Sequence, residues 1–146
     1  MPVTDRYPAA YVQAARDEIA AQIRAYRDLV GAASKASGMS LTRIDAALAA
    51  FEPAFFNNLL IALEMRFVHR ARGPEGQDGD PLDEVRMLAA SLVDNAGVLA
   101  PDPTIKYDAG KAMLRVDIGD RIALNADDFE ALCTAFLAGI ERKFSA

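Results

Sequence analysis

The segment from Phe51 to Arg72 constrains the fold of this chain more than any other stretch. Its largest apolar residues recur at spacings of four, three and four, which is the period of one face of an α-helix. These residues are Phe56, Leu60, Leu63 and Phe67. Pro53 stands just before them, and proline is well tolerated in the first turn of a helix, where its missing N–H would have no partner. We therefore predict a core helix that begins at Pro53.

The same reasoning predicts four further helices within a single domain of residues 1–146. They cover about residues 9–36, 41–51, 81–96 and 126–144. Asp80 and Asn125 are suited to cap the last two helices, because a short polar side chain can accept a hydrogen bond from the first turn. The glycine-rich residues 73–80 are predicted to form a loop between the third and fourth helices.

Beyond the fourth predicted helix, the apolar residues follow a different period. Leu114, Val116 and Ile118 alternate with charged residues at a spacing of two, which is typical of a strand with one buried face. A Gly-Asp pair follows Ile118 and favours a tight hairpin turn. The expected fold is therefore mainly α. It is a helical bundle of about five helices with a small antiparallel β-hairpin or three-stranded meander, at about residues 104–124, before the last helix.

The composition agrees with a helical fold and bears on how the chain associates. Of the 146 residues, 52% are apolar, none is tryptophan, and alanine is very frequent. Alanine favours helix because it loses no side-chain entropy on folding. Its small side chain also lets two helices approach closely. Such residues suit either close helix packing within the chain or a buried dimer face, and from this composition we expect a homodimer.

Charge, cysteine content and hydropathy restrict the partners and the compartment. The formal net charge of −5 gives no basic footprint for many phosphates, so binding of duplex nucleic acid is not expected. The single cysteine, Cys133, cannot form an internal disulfide, and it lies on the apolar stripe of the last helix, which predicts an inert thiol in a reducing compartment. No signal peptide is recognisable, and the central apolar run from Leu59 to Leu63 is far shorter than a membrane span. We expect a cytoplasmic protein without membrane contact.

The polar edge of the third predicted helix is a candidate catalytic site. Glu64 and His69, the only histidine, could transfer protons to and from a substrate. The alternative is that both residues simply flank the apolar stripe of an amphipathic helix. Five positions separate them, or about 140° around a helix, which is a poor arrangement for one shared metal ion. We therefore expect neither a metal nor a cofactor.

A second candidate site would bind a small anion between the third and fourth predicted helices. Its residues are Asn58, Arg66, Arg70, Arg86, Asp94 and Asn95. Arginine binds phosphate or carboxylate through two parallel hydrogen bonds, and the asparagines could orient such a ligand. The alternative is that the arginines, with Arg72, form ion pairs across the hairpin. The acidic residues available for such pairs are Glu75, Asp78, Asp80, Asp83 and Glu84.

The order of elements in residues 81–146 resembles that of HEPN-type helical domains. A helix containing VRMLAASLVDNAG is followed by TIKY, a predicted hairpin and a closing helix. HEPN domains are small four- or five-helix bundles, often dimeric. Many are ribonucleases, and others are inactive nucleotide-binding or scaffolding proteins. Their motif, an arginine followed after four to six residues by a catalytic histidine, is absent, because only two residues separate Arg66 from His69. The resemblance therefore implies binding in place of nuclease activity.

Together these patterns predict a cytoplasmic, homodimeric binding module for a partner protein or a small anionic ligand, and not an enzyme. The alternative is an RNA-processing or nucleotidyl-acting enzyme of HEPN-like descent. General acid–base catalysis by His69 and Glu64 is a third possibility.

Overall fold

A computed structural model describes residues 6–35, 41–71 and 80–144, and within these residues the chain forms four α-helices. They are α1 (Ala9–Ser34), α2 (Leu41–Arg66), α3 (Pro81–Asp94) and α4 (Ala126–Phe144). Both α2 and α4 pack against every other helix, whereas the described parts of α1 and α3 do not meet. The fold is a four-helix bundle with α2 and α4 at its centre.

The predicted apolar stripes form the core of this bundle. The stripe of α2 is fully buried, and two of its rings meet α4: Phe56 lies 5.6 Å from Phe129, and Phe67 lies 5.6 Å from Phe136, between ring centres. The other buried residues of the predicted stripes are Val12, Ile19, Ile23, Tyr26, Leu82, Val85, Leu88, Leu132, Ile140 and Phe144. The helical period thus identified most of the core, but the apolar side predicted for residues 41–51 is not buried at Ile44, Leu48 or Phe51.

The division of α2 at Pro53 was predicted incorrectly, because residues 41–66 form one helix. An internal proline removes one backbone hydrogen bond, here the bond to the carbonyl of Ala49. Ala49 is exposed, so water can satisfy that carbonyl. On either side of the proline, the rings of Phe51 and Phe55 stack on each other at 5.3 Å and both stack on Tyr26 of α1. This aromatic contact stabilises both halves of α2 in one helix, which leaves four helices in place of five.

The predicted β-hairpin or meander at residues 104–124 is also wrong. Residues 98–125 contain no strand, and their one ladder contact is an isolated antiparallel bridge between Val98 and Arg121. Positive φ angles at Arg115 (54°) and Gly119 (94°) interrupt the extended backbone that the alternating pattern predicted. A residue with a side chain rarely adopts a positive φ. The local sequence pattern was therefore overridden by contacts with the helices.

A buried carboxylate supplies the most important of these contacts. Glu84 of α3 is 3% exposed, and it accepts hydrogen bonds from the backbone N–H groups of Met113 (2.8 Å) and Leu114 (3.0 Å). Nearby, the hydroxyl of Tyr107 donates to the carbonyl of Val116. Burial, with the charge of Glu84 beside it, raises the pKa of Tyr107 to about 12, so this donor stays protonated at neutral pH. Side chains thus replace the partner strand that the sequence predicted.

Two side chains of α2 hold the end of the same segment. The amide of Asn57 donates to the carbonyl of Ile122 and accepts from the N–H of Leu124, both at 3.1 Å. The carboxylate of Glu52 accepts from the N–H of Ala126 at 3.1 Å, in the first turn of α4. Asn125 caps that helix as predicted, since its side chain accepts from the N–H of Asp128. The segment of residues 98–125 is therefore bonded to both α2 and α3.

The helix α2 is apolar well beyond its buried stripe. Among the described helices, it alone is long and apolar enough to cross a membrane by length and composition, from Arg43 to Arg66. Only 22% of its most apolar stretch is buried in the bundle. The central apolar run from Leu59 to Leu63 is short, but the many alanines of this helix also contribute to its hydropathy.

Replacing Glu84 with glutamine should destabilise the fold, because an amide presents only one acceptor oxygen to the two N–H groups that meet it. We expect Glu84→Gln to lower the free energy of unfolding by about 1–3 kcal/mol. Urea unfolding followed by circular dichroism measures this loss. Asp94→Asn, at an exposed position of the same helix, is the matched control and should stay within about 0.5 kcal/mol of the wild type. Equal effects of the two substitutions would show that the buried carboxylate has no special role.

Candidate functional site

Arg70 is the most deeply buried of the predicted anion-binding residues. Its side chain is 1% exposed, and its guanidinium lies 2.8 Å from the carboxylate of Glu64. It also donates to the backbone carbonyls of Phe67 (3.0 Å) and Leu82 (2.9 Å). The guanidinium carbon lies 5.1 Å from the centre of the Phe136 ring, where a cation is favoured by the ring electrons. Its charge is therefore balanced inside the bundle, and Arg70 joins α2, α3 and α4.

The other two arginines of the candidate site have further charged neighbours, although Arg86 and Arg70 both act on Asp83. Arg66 forms an ion pair with Glu18 of α1. Arg86 is half-buried on α3, and its charge acts on Asp83. Burial and the charge of Asp80 raise the pKa of Asp83 above its ordinary value, and Arg86 offsets part of this rise. Arg66 thus serves a contact with α1, whereas the charges of Arg70 and Arg86 both act on Asp83.

Asp80, one of the acidic residues predicted to pair with an arginine, pairs with a lysine of another helix. Asp80 pairs with Lys143 of α4 at 2.6 Å and accepts from the N–H of Leu82 as the predicted cap of α3. Arg72, Glu75 and Asp78 lie outside the described residues. Arg70, just beyond the end of α2, takes Glu64 of that helix as its acidic partner.

The three remaining candidate ligand-binding residues lie at the end of α3 and on the outer side of α2. Asp94 and Asn95 stand at the end of α3, twelve residues and about 18 Å from Leu82, where Arg70 bonds. They line a surface groove of about 390 Å³, and Asn95 closes the helix by donating to the carbonyl of Val98 at 2.7 Å. Asn58 is exposed on the opposite side of α2 from the core. The structure does not bring the six predicted ligand-binding residues together.

The residues proposed for proton transfer are also separated. His69 is exposed, just beyond the end of α2, whereas Glu64 is 7% exposed and its carboxylate is bonded to Arg70. General acid–base catalysis needs both groups within hydrogen-bond reach of one substrate. In this arrangement Glu64 serves as the counter-charge of a core arginine, and His69 is exposed to solvent.

Sequence reasoning gave little weight to the polar residues that organise the fold. Asn57 and Glu52 hold the 98–125 segment from α2, and Glu84 holds it from α3. The available signal was their position, because each lies on or next to the apolar face of its helix. A polar group buried there needs a hydrogen-bond partner from elsewhere in the chain. Glu84 had been assigned to an arginine and in fact accepts backbone N–H groups.

One surface of the bundle is apolar and open to solvent. We call it the outer face of α2, and its residues are Ile44, Ala47, Phe51, Ala54, Asn58, Ile61 and Met65. Phe51 is 42% and Met65 is 63% exposed, and Ala47, Ala54 and Asn58 are exposed as well. None of the seven is charged. This face can do little chemistry, but it can bind another apolar surface.

Loss of Arg70 should cost far more stability than loss of Arg66. Arg70→Met leaves the Glu64 carboxylate in the core without its counter-charge, which costs about 3–5 kcal/mol of unfolding free energy. Arg66→Met removes a partly exposed pair worth about 0.2–1 kcal/mol. Urea unfolding compares the two variants directly. The double variant Glu64→Leu/Arg70→Met should recover much of the loss, because it removes both charges. A small loss for Arg70→Met would instead favour an anion-binding role for this arginine.

The thiol of Cys133 should be almost unreactive in the folded protein. Burial raises the pKa of Cys133 from 9.0 to about 12, so at pH 8 roughly a thousandfold less thiolate is present than for the ordinary thiol. A raised folded-state pKa means that this thiol stabilises the fold below about pH 9, and that its contribution is lost as the pH rises towards 12. Reaction with Ellman's reagent, followed in buffer and in urea, measures the difference. Equal rates would mean that the thiol is exposed.

Comparison with protein-family models, with curated proteins and with solved structures finds no match to this chain. The resemblance of residues 81–146 to HEPN domains therefore stays a prediction.

Proposed function

We propose that this protein is a cytoplasmic, homodimeric binding module that acts through protein–protein contact at the outer face of α2. The observation that supports this function is the exposure of that face, where Phe51 and Met65 are 42% and 63% exposed. Monomeric soluble proteins rarely leave a continuous apolar patch of such length in water. Each Å² removed from water by a partner is worth about 25 cal/mol.

A protein partner fits these surfaces better than a small anion does. Of the arginines predicted to bind an anion, Arg70 is neutralised by Glu64 and Arg66 is paired with Glu18. An anion would have to compete with a carboxylate at both positions. The outer face of α2, in contrast, has no occupant among the described residues of the chain. The RNA-processing alternative has no comparable support, because no second catalytic group accompanies the exposed His69 among the residues that the structure describes.

The dimer is tested by measuring mass in solution. The wild type should sediment at twice the chain mass of 15.7 kDa. Ala54→Glu places a carboxylate in the outer face, where burying it without a counter-charge costs several kcal/mol and weakens association by about a hundredfold or more. Ala21→Glu, at an exposed alanine of α1, is the matched control and should remain dimeric. Both variants should keep the helical circular dichroism of the wild type.

Two results would contradict this function. A wild type that sediments as a monomer up to its solubility limit would exclude the dimer. A dimer that persists in Ala54→Glu would place the contact on another surface of the bundle.

A further inference from the structure

The residues of the outer face of α2 follow a regular repeat. From Ile44 to Met65 they are spaced three, four, three, four, three and four, which is an uninterrupted heptad pattern. In coiled-coil notation the a positions are Ile44, Phe51, Asn58 and Met65, and the d positions are Ala47, Ala54 and Ile61. Such a pattern is typical of a helix that packs along its length against another helix. We call these seven residues of the outer face the α2 seam.

The α2 seam is distinct from the stripe that α2 buries in its own bundle. That stripe runs through Phe56, Leu60 and Leu63, all fully buried, whereas no seam residue is buried. The seam spans 21 residues, or about 32 Å. On a straight helix the positions of a heptad repeat drift around the axis by only about 20° per heptad, so all seven residues stay on one side of the helix. One helix therefore carries two apolar faces, and the bundle uses one of them.

We propose that the occupant of this seam is the α2 seam of a second copy, in an antiparallel two-helix contact related by a two-fold axis near Asn57. This inference rests on the proposed dimeric function and adds its geometry. A two-fold contact places the same surface on both partners, so the surface must be complementary to itself.

Charge is the first reason for choosing a second copy. Partner choice in coiled coils is set mainly by charged residues at the positions that flank the seam. Between Leu48 and Ala62 these flanking residues are uncharged: Leu48, Ala50, Phe55, Asn57 and Ala62. Nothing along the middle of the seam therefore repels an identical chain, and nothing there recognises a charged partner of another kind.

Side-chain size is the second reason, and it also sets the orientation. Two parallel copies would place Phe51 against Phe51 and Ala54 against Ala54, which alternates crowded layers with voids. In two antiparallel copies each a position faces a d position. Met65 then packs on Ala47 of the second copy, and Asn58 packs beside its Ala54. The opposed helix dipoles favour the same arrangement.

The available area is that of an ordinary dimer. A helix with side chains is about 11 Å across, so half of its surface over 32 Å is about 600–700 Å² accessible to solvent. Standard interfaces bury about 600–1,000 Å² per partner. Leu29, which is 49% exposed one turn beyond Tyr26 on α1, can widen the contact, because Tyr26 stacks on Phe51 of the seam.

Cysteine cross-linking between two labelled chains tests the orientation. Ala47→Cys and Met65→Cys are prepared separately, mixed after unfolding and refolding together, and treated with a short bis-maleimide reagent. We expect cross-linked dimer in the mixture and not in either variant alone. In the antiparallel contact position 47 faces position 65, whereas two equivalent positions lie about 27 Å apart along the helix. The buried native thiol of Cys133 should stay silent, which the wild type verifies.

A matched control uses two exposed alanines of α1 that have the same separation. Ala14→Cys and Ala32→Cys are also 18 residues apart, and no combination of them should cross-link. The mass of every variant is measured first by sedimentation, so that loss of the dimer is not mistaken for a change of geometry.

The possible results separate this geometry from the dimer itself. Cross-linking of each variant with itself would mean a parallel contact and would overturn the antiparallel seam while leaving the dimer intact. A dimer without cross-linking in any combination would place the interface elsewhere. A wild type that is monomeric in buffer and co-sediments with vesicles of neutral phospholipid would overturn both proposals, and the seam would then be a lipid-binding surface.

Discussion

The corner where Arg70 meets Glu64, Leu82 and Phe136 is the constraint on which the bundle depends. A buried guanidinium has many hydrogen-bonding donors to satisfy and a charge to balance, and these demands fix the ends of α2 and α3 and the middle of α4 relative to one another. Buried ion pairs add little net stability compared with apolar residues of the same size. The pair therefore contributes mainly through its directional hydrogen bonds, which fix the positions of the helices. Apolar packing alone would tolerate small shifts of one helix along another.

Helical periods could be read from the sequence because each helix buries one face, and local rules describe a face well. The stripe through Phe56 and Phe67, and the caps Asp80 and Asn125, were all predictable in this way. The loop of residues 98–125 was not, because its backbone partners are carboxylate and amide groups distant in the chain. Glu84 lies 29 residues from Met113, and Asn57 lies 65 from Ile122. An alternating pattern indicates which side of a segment is apolar. It does not indicate which groups form hydrogen bonds with the backbone of that segment.

The candidate site was less predictable than the fold for a related reason. Arginines close together in sequence indicate an anion site only if their charges remain unbalanced in space, and this depends on residues elsewhere. Glu18, on another helix, neutralises Arg66, and Glu64, in the last turn of α2, neutralises Arg70 just beyond that helix. The seam of α2 was present in the sequence as a second period beside the first. A prediction that divides α2 at Pro53 also divides this second period, and so does not reveal it.

The N-terminal turns of α2 have few contacts with the rest of the bundle, and this affects how easily they open. No residue from Arg43 to Ala50 is buried, although four of the eight are alanines that favour helix intrinsically. Local opening requires little free energy where few apolar contacts must be broken. In a lone chain these turns would exchange their amide hydrogens faster than the core half of α2 around Phe56. Pairing along the helix would suppress that exchange, so that association would complete the ordering of a helix that contacts with the bundle support mainly from Phe51 onward.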